Sequence, residues 1–311
     1  SSDDHVDQAR TLCKRLGIPH AVHVLHQEFE HQIVSPFVDA YCRGLTPSPC
    51  VRCNMLIKFG LLLDLAHDRG CTQLATGHYA RTHRNEHGRT ELLRGRDRSK
   101  DQSYFLFGLS QQQLAQARFP LGNWTKAEVK QRARELELVP HKKAESQDLC
   151  FVPDGDYTSF IARRHPELRR PGPIRDKQGN VLGQHPGFFF YTIGQRRGLG
   201  LGGGPWYVTA IDPESNTVVV GRYEDALGSE VEVDNLNWIA FEPEPETSFQ
   251  ADVQLRYAMK PVPAEVGVAP SGTSARLHLE EPVAGITPGQ AAVFYRADTV
   301  IGGGWIRPST E

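Results

Sequence analysis

Two distant cysteines, Cys53 and Cys150, are the residues best suited to chemistry in this chain. Each ends a short segment typical of a reactive loop: residues 46–53 are broken by prolines, and residues 145–150 are polar before Phe151. A cysteine in an exposed loop or near a helix N-terminus is favoured as a thiolate. If the two thiols meet in the folded chain, sulfur chemistry is the natural use of the pair.

The spacing Cys50-x-x-Cys53 leaves three interpretations open: half of a zinc site, a redox dithiol, or one functional thiol with a neighbour. A structural zinc usually needs a second pair, and no other CxxC occurs in the sequence. Arg52 is predicted to favour the Cys53 thiolate by charge attraction. Cys150 has an alternative as a small buried side chain that begins a strand, although its polar approach is poor core material.

Two further segments contain candidate ligand-binding residues. Gly77 and His78 follow an apolar strand, and ligands of open α/β sheets lie beyond the carboxyl ends of strands. A lone histidine can equally be structural. The run Lys100-Asp101-Gln102 places a cation, an anion and an amide side by side, which suits phosphate or base binding, or else a well-capped turn.

Composition is that of an ordinary soluble globular protein. The 311 residues are 23% charged and 39% hydrophobic, and no run approaches the roughly 18 consecutive apolar residues of a membrane span. The six cysteines are too few for a dense disulfide scaffold, which favours a reducing cytoplasm. The net charge is −2, but local arginine clusters can still bind phosphate or form solvated surface. These clusters are Arg94, Arg96, Arg98 with Lys100; Arg163, Arg164, Arg169 and Arg170; and Arg196 with Arg197.

Helices and short apolar strands alternate over the first half of the chain. The pattern predicts a strand at Ala21–Val24, helices through Phe29–Tyr41 and Ile57–His67, and a further strand around residues 73–76. A capping box at Thr125 predicts a helix that runs to about residue 138. This alternation is typical of a parallel sheet covered by helices.

After Phe151 the chain reads as mainly β. Turn sequences separate predicted strands, which lie at 206–211, 217–220, 249–257, 274–279, 291–295 and 300–306. An all-β tail of this length predicts a small closed barrel. The glycines of residues 194–200 fit neither nucleotide-binding pattern and indicate an RNA-facing or structural loop, and Gly302–Trp305 indicates a strand bend or bulge.

With these segments placed, the chain resembles the tRNA-specific 2-thiouridylases (the MnmA/TrmU family) over essentially its whole length. The resemblance rests on a set of motifs in a fixed order. They are Pro49-Cys50-Val51-Arg52-Cys53-Asn54 with Ile57-Lys58-Phe59, Ala75-Thr76-Gly77-His78-Tyr79, Leu93-Arg94-Gly95, Lys100-Asp101-Gln102-Ser103-Tyr104-Phe105-Leu106, Glu145-Ser146-Gln147-Asp148-Leu149-Cys150-Phe151, Thr192-Ile193-Gly194-Gln195-Arg196-Arg197-Gly198-Leu199-Gly200, and Thr287-Pro288-Gly289-Gln290-Ala291-Ala292-Val293-Phe294-Tyr295.

The resemblance implies an α/β fold in three parts. Residues 1–156 would form a parallel-sheet domain like the adenine-nucleotide hydrolases (PP-loop ATPases), with its first part missing. Residues 157–226 would form a small, mainly-β central domain that contacts tRNA, and residues 227–311 a C-terminal β-barrel.

The same resemblance implies an ATP-dependent sulfurtransferase that makes 2-thiouridine. ATP, with Mg²⁺, would adenylate the C2 oxygen of the wobble uridine. Cys150 would carry a persulfide, and Cys53 would act as partner nucleophile through a transient Cys53–Cys150 disulfide. A persulfide sulfur is a strong nucleophile that a second thiol can free. The implied partners are a tRNA with a wobble uridine, flipped from its stack, and a persulfide donor such as a cysteine desulfurase or sulfur-relay protein.

The remaining site residues also come from the resemblance. Gly77 would lie against ATP, and no resident metal is implied. The residues expected at the tRNA are Ser48, Pro49, Cys50, His78, Lys100, Asp101, Gln102, Arg256, Tyr257 and Gln290, of which the first three would lie by the target base. Arginine on phosphate and tyrosine against a splayed base suit single-stranded RNA.

One departure from the family pattern concerns the N-terminus. The family opens with a Ser-Gly-Gly-x-Asp-Ser loop that cradles ATP phosphates, and no such run occurs in this sequence. We therefore expect that loop to be missing, and that a protein of only these residues would not adenylate tRNA. Two alternatives follow: a non-catalytic tRNA- or RNA-binding fragment, and a zinc- or disulfide-stabilised structural protein. A bacterial cytoplasm is the expected location, with a mitochondrion as the alternative.

Overall fold

Helices dominate the start of the chain. The computed structural model describes residues 3–138, 149–152 and 155–308. Helix α1 spans Asp3–Leu16. Helix α2 is continuous through the segments His26–Phe29, Glu30–Val34 and Ser35–Cys42, and helix α3 through Pro49–Arg52, Cys53–Leu61 and Leu62–His67. The middle segment of α2 and that of α3 are π-helical.

A small parallel pair of strands follows. The next elements are β1 (Leu74–Ala75), β2 (Ala80–Arg84), β3 (Thr90–Arg94), helix α4 (Gln111–Gln116), β4 (Ala117–Arg118) and helix α5 (Lys126–Glu135). Strands β1 and β4 pair in parallel. The capping box predicted at Thr125 is present and opens α5, which ends three residues earlier than predicted. The α/β class is confirmed, with a two-stranded parallel sheet in the described part of the chain.

The predicted strand at Ala21–Val24 is wrong. These residues have no regular secondary structure, and the side chains of Val22 and Val24 are 51% and 74% exposed. A strand is defined by hydrogen bonds to a neighbour, and apolar β-branched residues alone do not supply one. The segment Cys150–Val152, considered as the start of a strand, is a turn.

The central part of the chain is a helix packed on a four-stranded sheet. Its elements are helix α6 (Tyr157–Arg164) and strands β5 (Gly172–Arg175), β6 (Val181–His185), β7 (Tyr207–Asp212) and β8 (Thr217–Gly221). The strand order is β6-β5-β8-β7, with β5 and β8 parallel. The predicted strand–turn–strand at residues 206–220 is confirmed. Its core includes Phe37 and Tyr41 of α2, so this sheet is packed against the first helices.

The predicted closed barrel is confirmed. Six strands form it: β9 (Leu227–Trp238), β10 (Ser248–Gln254), β11 (Val262–Val268), β12 (Ser274–Ala284), β13 (Ala291–Arg296) and β14 (Thr299–Ile306). The pairing of β13 with both β10 and β14 closes the ring. Register shifts in β14 next to Gly303 confirm the predicted irregularity there. An added Cβ at Gly303 would lie 2.5 Å from the Ala292 carbonyl oxygen.

The barrel is fused to the first part of the chain by a hairpin. Strands β2 and β3 pair with each other, and β3 pairs with β14. One buried core therefore runs from Leu92 and Tyr104 to Val293 and Tyr295. The predicted domain limits at residues 156 and 226 stay a prediction. Packing within the three buried cores holds the elements around the cysteines in place.

Candidate active site

The loop before Cys50 is fastened to the barrel. The side-chain amide of Gln290 donates to the carbonyl oxygens of Thr46 and Pro47 at 2.9 and 3.2 Å, and the Thr46 amide donates to the Pro288 carbonyl at 3.0 Å. Pro49 then occupies the first turn of α3, where a fixed φ and a missing N–H suit a helix start. Cys50 and Cys53 follow three residues apart, on neighbouring positions of the same helix face.

At Cys53 helix α3 changes to a π-helix that continues to Leu61. Its shape is supported by the Gln113 side chain, which donates to the carbonyls of Met55 and Phe59 at 3.0 and 2.8 Å. Asn54 is buried and donates to the Phe105 carbonyl at 2.9 Å. π-Helical turns are rare and occur frequently at functional sites.

Cys150 belongs to a separate turn of the chain. It lies in a turn closed by a 3.0 Å hydrogen bond from the Val152 amide to the Leu149 carbonyl. The Phe151 ring packs edge-on against Phe29 and Phe37 of α2, with centroids 5.8 and 5.1 Å apart. This aromatic anchor holds Cys150 at the surface, where it is exposed. The rest of its predicted motif, residues 145–148, lies outside the described residues.

Cys50 and Cys53, at the head of α3, and Cys150, on its separate turn, are free thiols that influence one another electrostatically. Burial, then the neighbouring Cys150 and Cys53, raise the pKa of Cys50 to about 11, against a smaller lowering by Lys58. Burial also raises the pKa of Cys53, where Lys58 is the next largest influence and lowers it, ahead of the raising effect of Cys150. Cys50 is exposed, yet the protein atoms around its sulfur desolvate it enough to raise its pKa. Cys150 thus raises the pKa of both Cys50 and Cys53 across the fold, which brings the two segments into the same region of the molecule.

Within the described part of the chain, the cation that acts on Cys53 is Lys58, not Arg52 as predicted from adjacency in sequence. Arg52 directs its Nε to the Gln32 carbonyl, 3.3 Å away on α2. Consecutive helical residues point in different directions, which is why a sequence neighbour is not a side-chain neighbour here.

His78 and Gly77 lie at the carboxyl end of β1. His78 is 8% exposed, and its two ring nitrogens lie 2.8 Å from Thr76 Oγ1 and 3.4 Å from Lys58 Nζ. Burial, reinforced by Lys58, lowers the pKa of His78 from 6.5 to about 3, so the ring is neutral. Gly77 is exposed, and an added Cβ would meet only Leu121, at 3.8 Å. That open space at the end of a parallel strand fits one wall of a nucleotide site.

The residues predicted to contact tRNA differ in exposure. Ser48 and Asp101 are each 7% exposed, Pro49 is buried and Lys100 is half-buried. Asp101 pairs with Arg94 at 3.1 Å and accepts from the Gly95 amide at 2.8 Å. These contacts give Asp101 a structural role in holding its loop.

Gln102, Arg256 and Tyr257 complete that set. Gln102 Oε1 accepts from the Tyr79 amide at 3.0 Å. Arg256 is exposed, and Tyr257 is 42% exposed with its ring 4.4 Å from that of Phe105. An open cavity of about 850 Å³ lies between the Lys100 loop and the barrel, lined among others by Arg94, Arg98, Gln254, Tyr257 and Lys260.

The zinc alternative finds no partner cluster. Cys50, Cys53 and Cys150 are free thiols. Within residues 3–138, 149–152 and 155–308, no group of three or more His, Cys, Asp or Glu side chains is arranged to hold a metal ion.

Three family models match consecutive parts of this chain. They are described as a tRNA methyl transferase HUP domain (residues 1–154), a tRNA methyl transferase PRC-barrel domain (158–222) and an aminomethyltransferase beta-barrel domain (229–306). The tRNA-specific 2-thiouridylase MnmA of Geobacter metallireducens is 46% identical over 305 residues, 97% of this chain and 82% of that protein. The chain belongs to the tRNA-specific 2-thiouridylase family.

Other 2-thiouridylases show a similar extent of likeness. The Chloroflexus aggregans protein is 47% identical over 96% of this chain and 83% of its own length. A Synechococcus protein of the same name is 48% identical over 97% of this chain and 82% of its own length.

In the described part of the chain, no helix is both long and apolar enough to cross a membrane.

Sequence reasoning missed two residues of this 2-thiouridylase site. The sequence marks Lys58 only through the motif Ile57-Lys58-Phe59 and gives no signal for Gln113. The hairpin β2–β3 was also missed, although Asn85 and Gly88 mark its turn: Asn85 Oδ1 accepts from the Arg89 amide at 3.0 Å, and Gly88 has a positive φ of 79°. A polar Asn and a glycine between alternating residues are typical of such turns.

Proposed function

We propose that this protein is a tRNA 2-thiouridylase that transfers a persulfide sulfur from Cys150 to the C2 position of a wobble uridine. The observation that carries the proposal is that Cys150, almost a hundred residues after Cys53 in sequence, acts electrostatically on both Cys50 and Cys53, and that all three are free thiols. The family membership supports the same chemistry, since its relatives are named for 2-thiouridine formation.

The two cysteines have unequal roles. Cys150, exposed on its turn, receives sulfur from a persulfide donor, a cysteine desulfurase or a sulfur-relay protein. Its terminal sulfur attacks C2 of the uracil, and Cys53 then attacks the Cys150 sulfur. The S–S bond to the transferred sulfur breaks, and a Cys53–Cys150 disulfide forms that a thiol reductant later opens. The pKa of about 11 makes Cys50 the weaker candidate for this attack at neutral pH.

ATP with Mg²⁺ supplies the adenylyl group that converts the C2 oxygen into a leaving group. Gly77 is the residue proposed beside it, because the backbone there is exposed and open above Cα. The proposed location is the bacterial cytoplasm.

Substrate binding is proposed to use the cavity between the Lys100 loop and the barrel, together with the loops around the thiols. Arg256 and Tyr257 are exposed and suited to phosphate and base contacts. Lys100, Gln102 and His78 are proposed at the tRNA as well, while Ser48, Pro49, Cys50 and Asp101 shape the loops that meet it. Gln290 is proposed to contact tRNA in addition to holding the Thr46 loop.

The test is thiolation by the full-length protein with tRNA, ATP, Mg²⁺ and a persulfide donor, followed by nucleoside mass spectrometry. Cys150→Ser should abolish 2-thiouridine while leaving tRNA affinity unchanged. Cys71→Ser, a matched change at an exposed thiol beyond α3, should retain activity. Arg256→Ala should weaken tRNA binding and reduce its salt dependence by about one counterion.

Opposite outcomes separate the alternatives. Thiolation that survives Cys150→Ser would show that Cys150 is not the sulfur carrier. Tight tRNA binding without thiolation by the unaltered protein would favour the non-catalytic RNA-binding fragment, and stoichiometric zinc lost on Cys50→Ser would favour the structural protein.

A further inference from the structure

The π-helical stretch of α3 determines which side chain faces Cys53. In an α-helix, at 100° per residue, the fifth residue onward points about 140° away from the first. A π-helix closes its hydrogen bonds between residues five apart, so positions i and i+5 become neighbours on one face, as i and i+4 are in an α-helix. The segment Cys53–Leu61 is π-helical, and Lys58 is five residues after Cys53. The change of helix type therefore turns Lys58 onto the face of Cys53.

A buried histidine contacts the ammonium group of Lys58. Lys58 Nζ lies 3.4 Å from His78 Nε2, and His78 Nδ1 lies 2.8 Å from Thr76 Oγ1. An ammonium group only donates hydrogen bonds, so Nε2 must accept and the proton of the neutral ring must sit on Nδ1, where it donates to Thr76. The ring is further fixed between Phe59 and Phe119, with centroids 6.4 and 6.0 Å away.

The charged and titratable groups that act on Cys53 are few among the described residues. The Lys58 ammonium favours the Cys53 thiolate, whereas burial and Cys150 oppose it, and Cys50 is coupled to the same cluster. Arg52 is turned toward α2, and His78 is neutral and reaches the thiols only through Lys58. Among the residues that the structure describes, Lys58 is thus the cation that acts to balance a negative sulfur at Cys53.

We infer that Lys58, fixed by the Thr76–His78 pair, is a positioning residue that stabilises the Cys53 thiolate for its attack on the Cys150 sulfur. The inference rests on the proposed function for the identity of that attack. The Cys53 thiol releases its proton to solvent, the sulfur anion pairs with the ammonium, and the negative charge leaves with the transferred sulfur when the disulfide forms. Lys58 forms no covalent bond in this step. His78 acquires a role in this protein distinct from RNA contact.

The test measures the alkylation rate of Cys53 by iodoacetamide between about pH 6 and pH 10, resolved by peptide mass spectrometry, because only the thiolate reacts. An opposite charge close to an ionisable group shifts its pKa by about one unit or more, so Lys58→Met should slow Cys53 alkylation about tenfold at neutral pH and move its pH profile upward. Lys58→Arg should preserve most of the rate.

Two further variants test the support and the specificity. His78→Leu, which removes the acceptor for Lys58, should slow Cys53 alkylation, and His78→Gln, which keeps an acceptor, should slow it less. Arg52→Gln is the matched control, since it removes a cation adjacent in sequence but directed elsewhere, and it should leave the Cys53 profile unchanged.

The inference is overturned if the Cys53 profile of folded Lys58→Met superimposes on that of the unaltered protein. Should Lys58→Met fail to fold, Lys58→Gln in its place carries the same expectation. Thiolation of tRNA by the Cys150→Ser variant is measured in parallel. If Cys150→Ser loses thiolation but Lys58→Met leaves the pH profile of Cys53 alkylation unchanged, this inference alone is overturned. If Cys150→Ser retains thiolation, the proposed function is overturned.

Discussion

Replacing Gln290 by leucine tests how the barrel holds the cysteine loop. The substitution keeps the approximate volume of the side chain but removes the two hydrogen bonds from its amide to the carbonyls of Thr46 and Pro47, at 2.9 and 3.2 Å. The backbone bond from Thr46 to Pro288 remains. The loop should therefore stay close to the barrel but become less constrained just before Cys50.

The size of the effect follows from those two contacts. A hydrogen bond contributes about 0.5–1.5 kcal/mol net, which gives about 1–3 kcal/mol for the pair. Thr46 and Pro47 are only half-buried, so water can partly replace the lost donors, and about 1–2 kcal/mol is expected. In a domain of 150–250 residues, each kcal/mol lowers Tm by about 2–4 °C.

Thermal unfolding and thiol alkylation measure the two consequences. Gln290→Leu should lower Tm and speed the alkylation of Cys50, because a loosened loop reduces the burial that raises its pKa to about 11. Gln250→Leu, at an exposed glutamine on strand β10, is the matched control and should do neither. If Gln290→Leu changes neither Tm nor Cys50 alkylation but weakens tRNA binding, the fastening role is wrong and direct RNA contact accounts for the residue.

Two further predictions concern buried ionisable side chains. His78 has a pKa lowered from 6.5 to about 3 in the folded state, so the unfolded chain binds more protons between these values and stability should fall as pH decreases from 6.5 towards 3, by up to about 1.4 kcal/mol per pH unit. His78→Gln should flatten that pH dependence in denaturant titrations, and an unchanged slope would contradict the neutral buried ring. Arg94→Met should destabilise the protein by about 3–5 kcal/mol, because it leaves Asp101 buried without its cation, whereas Arg98→Met, which breaks a half-exposed pair with Asp298, should cost about 0–1 kcal/mol. Equal effects of the two substitutions in chemical denaturation would show that burial does not set the difference.

The parts of the fold governed by local pattern were predictable from sequence. The capping box at Thr125 works through residues three apart. The barrel strands β10 and β12 alternate exposed and buried residues, and β13 and β14 are continuous apolar runs, so neither pattern needs distant information. The strand predicted at Ala21–Val24 was wrong because pairing depends on a neighbour, which the pattern of one segment cannot supply.

The parts of the site that depend on distant contacts were not predictable. Gln290 and Thr46 are 244 residues apart in sequence, and nothing in either segment indicates that they meet. The role of Lys58 depends on the π-helical turn after Cys53, which is supported by Gln113 from another helix. Adjacency in sequence favoured Arg52 in its place. An α-helical periodicity of 3.6 residues would not have indicated Lys58 either, because it turns that residue away from Cys53.

The most direct test of the central claim is to map the cysteines after a single turnover of the full-length protein with tRNA, ATP and a persulfide donor, quenched with acid and digested without reductant. The account predicts a peptide pair linked through Cys53 and Cys150, formed in proportion to 2-thiouridine and missing when tRNA is omitted. A turnover that yields 2-thiouridine with Cys53 still a free thiol, or with Cys150 linked to Cys50, would contradict it.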